Sequence, residues 1–148
     1  MKRSIAILAA AGFAATAAYA ADPMPRDMPM AAMKMIDPMP AIYMGTADKP
    51  GAPVFKGLGS HTHKISTRNA KTQTLFDQGI NLSFGFNHAE AIRSFREAAR
   101  LDPHCAMCWW GIAFALGPNI NLSMQEDAIK PAWQAVQNAL ALKRYASA

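Results

Sequence analysis

Residues 75–103 read LFDQGINLSFGFNHAEAIRSFREAARLDP, and the fold of the whole chain hangs on this stretch. Leu75, Gly79, Leu82 and Phe86 follow one another at spacings of four, three and four, a single stripe of a helix. The chain then turns at Gly85, Phe86 and Asn87. Asn87 is a suitable N-cap, and Glu90 three residues on predicts a reciprocal capping box for a second helix. That helix places Ala91, Phe95 and Ala98 on one face, with Arg93, Arg96, Glu97 and Arg100 mostly elsewhere. It stops at Asp102, because a residue before proline disfavours the α region. Gly79, Ala91 and Ala98 are small enough for two backbones to approach, and Phe95 fills the space left between them.

Beyond Pro103 the pattern resumes 34 residues on: Leu75 maps to Trp109, Gly79 to Ala113 and Leu82 to Leu116. A third helix is expected over Ala106 to Leu116, ended by Gly117 and Pro118. Residues 117–123, GPNINLS, exceed a tight turn, and Ser123 with Glu126 offers another capping box. Ala132, Val136 and Ala139 reproduce the Ala91, Phe95, Ala98 spacing after a shift of 41 rather than 34 residues, with Pro131 starting or kinking the last helix. The expectation is an all-α chain of antiparallel helix hairpins over residues 66–148, divided at about 70–103 and 104–148.

This pattern resembles the tetratricopeptide repeat, with Gly79, Ala91, Phe95, Ala98 and Pro103 in register with its signature. The resemblance extends from Leu75 to about Tyr145, half the chain, and implies an interaction scaffold without naming a partner. It further implies a concave apolar groove. Phe76, Ile80 and Phe84 form a second stripe on the first helix, and Met107, Trp110 and Phe114 repeat it 31, 30 and 30 residues later. These six side chains either receive a protein or peptide or pack on the preceding segment or further helices. Two such repeats are fewer than the three or so a stack needs, so a homodimer or additional repeats would complete it.

Residues 1–20 stand apart. Lys2 and Arg3 are followed by the alanine-rich apolar run Ile5 to Ala18, and Ala18-Tyr19-Ala20 gives a small-x-small cleavage pattern. The segment reads as a secretory signal peptide cleaved after Ala20, because a membrane span needs about 20 strongly apolar residues. Its removal leaves 13 basic and 10 acidic residues in 128, with no Lys/Arg run, so a nucleic-acid footprint is absent.

Between the leader and the helices lies a segment of different character, taken here as residues 21–65 and expected to be mostly disordered. Residues 21–53 hold seven prolines and seven methionines, the latter being Met24, Met28, Met30, Met33, Met35, Met39 and Met44. Thioethers are soft ligands for Cu(I) or Ag(I) that need no deprotonation, which makes extracytoplasmic metal handling the rival function. The bland alternative is an apolar strap on the helices. His61 and His63 add two imidazoles, short of the three or four ligands a site usually needs. Ser66, Thr67 or Asn69 would cap the first helix.

Cys105 and Cys108 fall at the start of the third helix. Haem c attachment requires a histidine where Trp109 stands, and a thioredoxin-like centre requires a strand–helix context. A disulfide or buried thiol pair is expected, ahead of a redox or metal role. With no nucleophile–base set and no phosphate-cradling glycine loop, the sequence points away from catalysis and calls for no cofactor other than Cu(I).

Overall fold

The computed structural model describes residue 36 and residues 38–146; the expected leader and Met24, Met28, Met30, Met33 and Met35 lie outside the described residues. Among the described residues the chain is all-helical: α1 (Ala70–Phe84), α2 (His88–Leu101), α3 (Ala106–Leu116) and α4 (Glu126–Ala141), with no strands. Each helix packs on the next, and α1 also touches α3.

The helix ends explain the boundaries. Asn69 caps α1, its side chain accepting from the N–H groups of Lys71 and Thr72. At the other end Phe86 adopts φ +60°, the left-handed conformation usually left to glycine. The N–H of Phe86 then donates to Ser83 O at 3.1 Å and that of Asn87 to Leu82 O at 2.9 Å, so two terminal carbonyls of α1 are satisfied. This changes the expected capping box. Asn87 Oδ1 does accept from the Glu90 N–H, but the Asn87 N–H is already spent on Leu82, and Glu90 pairs with Arg93 instead. The second expected box does not form either. α4 begins at Glu126 with Gln125 as its N-cap, so Glu126 is the first helical residue rather than the third of a helix capped by Ser123. Pro131 lies inside α4.

The core is centred on Phe95. Its ring is fully buried, 5.5 Å from that of Phe76. It also lies against two glycines: a Cβ built on Gly79 would stand 2.5 Å from Phe95 Cε1, and one on Gly111 2.5 Å from its Cδ1. The flat ring is thus sandwiched between the backbones of α1 and α3. The 34-residue register offers Ala113 as the second small residue, yet the close approach is at Gly111.

Residues 38–65 correct the expectation of disorder. They form an irregular strap, with one short 3-10 turn at Ala41–Tyr43. Ile36, Met39, Tyr43, Ala47 and Ile65 are buried with the helix core. Prolines do bar this segment from helix and sheet ladders, but its backbone groups are satisfied by side chains. Arg96 donates to Ala47 O, Arg93 to Gly51 O and Gln78 to Pro53 O, while Gln78 Oε1 accepts from the Phe55 N–H. Asn81 donates to His61 O, and Asp77 accepts from the His63 N–H and the Thr62 hydroxyl. Polar positions on α1 and α2 that look solvated in the sequence therefore hold the strap.

Candidate functional site

Six side chains were expected to line a groove, and the structure divides them. Phe76 and Ile80 are buried and belong to the core, which removes them from any open surface. Phe76 lies 5.5 Å from Phe95 within the core, and the His63 ring of the strap stands 6.2 Å from it. Phe84, at the far end of α1, stays 72% exposed. Across from it on α3, Trp110 and Phe114 are each 41% exposed, and Met107 is half-buried. The Trp110 and Phe114 rings stack with centroids 5.2 Å apart and planes 8° from parallel, and Phe84 approaches Phe114 at 6.2 Å. Three aromatic rings from two helices thus form one continuous exposed cluster. Offset ring clusters of this kind give large, rigid apolar contact area with little side-chain entropy to lose.

Cys105 and Cys108 are joined by a disulfide, and both are buried. Cys105 is the N-cap of α3, its sulfur accepting from the Cys108 N–H at 3.1 Å. The bond fixes the first turn of the helix that carries Trp110 and Phe114, and neither sulfur is a free thiolate available for nucleophilic or metal chemistry.

Of the metal candidates, Met39 is buried in the core, while His61 and His63 are exposed on the strap. The described residues contain no group of three or more His, Cys, Asp or Glu side chains placed to hold a metal ion. No helix among them is long and apolar enough to cross a membrane.

A second polar cluster escaped the sequence reading. His88, the first residue of α2, meets Asn119 of the α3–α4 loop, with Asn119 Nδ2 3.1 Å from His88 Nε2. Asn119 Oδ1 accepts from the Asn121 N–H, which fixes the amide so that its NH2 group faces the imidazole. His88 Nε2 must then be the acceptor and the ring neutral, with the proton on Nδ1, a buried atom without a hydrogen-bond partner. Burial holds the His88 pKa below its ordinary value, consistent with the neutral ring. Tyr43 and Leu122 help line an open pocket of about 270 Å³ beside this pair, and burial raises the Tyr43 pKa, so its hydroxyl stays neutral. Nothing local marks this contact, since the partners are 31 residues apart and meet only through the loop.

No family model, curated protein or solved structure matches the chain.

Proposed function

We propose that this chain is a non-enzymatic, extracytoplasmic scaffold that binds a protein partner through the Phe84–Trp110–Phe114 cluster. The occupant is an apolar or proline-bearing peptide segment of that partner. The single observation that carries this reading is the exposed ring stack, which joins two helices at the end the strap leaves bare. Soluble chains seldom expose several large aromatic side chains together unless the patch is used. Proline rings and aliphatic side chains pack well on such rings, a mode of recognition that needs no charged anchor. The tetratricopeptide-like spacing of residues 75–145 supports the scaffold class, and the leader-like residues 1–20 support an extracytoplasmic site of action.

The test is selection of random displayed 12-residue peptides on the immobilised chain, followed by titration of the enriched peptides. Phe114→Ala and Trp110→Ala are expected to weaken each selected peptide by about 30-fold or more, the loss typical of a central aromatic anchor. Melting should be changed little, because both residues are partly exposed. Peptides that bind the two variants as well as the parent, or a failure to enrich any sequence, would overturn the reading.

A further inference from the structure

The outer face of α4 carries a stripe with no neighbour on it. Ile129, Trp133 and Leu140 are 54%, 50% and 54% exposed, and Val136 between them is half-buried. Their register counterparts on α2, 41 residues earlier, are His88, Ile92, Phe95 and Ala99. On α2 the last three are buried, and Phe95 lies against Gly111 of α3. The face that α2 uses to receive another helix is therefore open on α4.

The stripe has a symmetry that identifies its occupant. Glu126, Ile129, Trp133, Val136 and Leu140 on α4, and Lys143 at the start of the 3-10 turn Lys143–Tyr145 that follows it, stand at spacings of three, four, three, four and three, an order that reads the same in both directions. This is the seam of a helix pair packed at a shallow angle. We infer that α4 pairs antiparallel with α4 of a second copy of this chain, about a two-fold axis passing between residues 134 and 135. Such an isologous contact sets Trp133 opposite Val136 of the second copy, large against small, and Ile129 opposite Leu140. It also sets exposed Glu126 opposite exposed Lys143 at both ends of the seam. A parallel pairing would instead bring Glu126 to Glu126 and Lys143 to Lys143, which like charges disfavour. Antiparallel alignment also places each helix N-terminus beside the other's C-terminus, a favourable arrangement of the two dipoles.

The area sets the strength. Four side chains on one helix bury roughly half of the ~800 Å² per partner found in standard interfaces, so the dimer dissociates in the micromolar range. Sedimentation equilibrium of residues 21–148, the chain left once the expected leader is removed, is expected to show a monomer–dimer equilibrium from low to high micromolar concentration. Trp133→Ala should weaken it by about 30-fold or more, and Ile129→Gln should weaken it too, each with little change in the melting curve at sub-micromolar concentration, where no dimer contributes. Glu126→Lys alone and Lys143→Glu alone should each weaken it by roughly 5- to 10-fold, and the double exchange should restore it, a recovery only the antiparallel register explains. Phe114→Ala, on the other exposed patch, should leave it unchanged. A chain that stays monomeric throughout, a dimer indifferent to Trp133→Ala, one lost in Phe114→Ala, or a double exchange that does not recover would each overturn the inference.

Discussion

α2 and α4 carry apolar residues at the same helical spacing 41 residues apart and differ in what those residues touch. Phe95 is sealed between Gly79 and Gly111, with Ile92 and Ala99 buried beside it. Trp133 and Leu140, at the places of Ile92 and Ala99, remain about half exposed. A helical spacing thus says which side chains share a face; the neighbour decides whether that face is core. The sharpest way to break the comparison is to truncate both sides of it. Phe95→Ala removes a fully buried ring and leaves a cavity between two glycines that have no side chains with which to fill it. It is expected to cost about 3–5 kcal/mol, which approaches the whole stability of so small a domain. Trp133→Ala should change monomer stability by less than about 1 kcal/mol, because half the side chain is already in water. Denaturant unfolding at sub-micromolar concentration, where no dimer contributes, would check both. Equal losses would mean that the exposed face of α4 is as well packed in solution as the buried face of α2.

The strap sharpens the same contrast, since it covers part of α1 and α2 and leaves Phe84 open. Gln78 links the layers: it accepts from the Phe55 N–H at 2.7 Å and donates to Pro53 O at 2.8 Å and Ser94 Oγ at 2.9 Å. It is 5% exposed. Gln78→Leu keeps the bulk and strips partners from three groups, which should cost about 1–3 kcal/mol. The loss should be local. Amide exchange is expected to accelerate at Phe55 and along residues 51–59 more than at α3, and uniform acceleration would show that the strap and helices open as one unit.

How much of this was legible follows from the kind of signal each part leaves. α3 can be bounded at Ala106 and Leu116 because an apolar stripe, a cap position and Gly117-Pro118 are all local. The strap has no such signature. Ile36, Met39, Tyr43 and Ala47 are buried without helical or strand period, and Arg93 and Arg96, which hold the backbone of the strap at Gly51 and Ala47, look like any solvated charges in sequence. The groove was half legible: spacing finds Phe84, Trp110 and Phe114 but cannot tell that Phe76 and Ile80 are buried in the core. The length of the α3–α4 loop is visible in the sequence, but that its Asn119 meets His88 is a matter of tertiary contact.

That contact carries the smallest expected effect. His88 is neutral in the folded chain because burial lowers its pKa from 6.5, whereas in the unfolded chain it binds a proton at the ordinary value. Below that value the unfolded state binds more protons than the native one, so stability falls as pH falls. The stabilisation is thus complete above pH 6.5 and is lost as the pH drops through the depressed folded value. Glu97 titrates in a separate window: a hydrogen bond from Arg100 holds its carboxyl below 4.5, so its contribution persists until the solution is more acidic still. His88→Gln removes the titrating group and keeps an amide able to meet Asn119. The parent is expected to lose a little melting temperature between about pH 7.5 and pH 5.5, and the variant distinctly less. Protonation also turns the His88 Nε2 acceptor into a donor facing the Asn119 NH2 group, so the α3–α4 loop should loosen in step. The Asn119 side-chain NH2 resonances would report it, shifting with the same midpoint as the His88 ring; a shift with a midpoint near that of Glu97 would assign the acid sensitivity to the Arg100 pair instead.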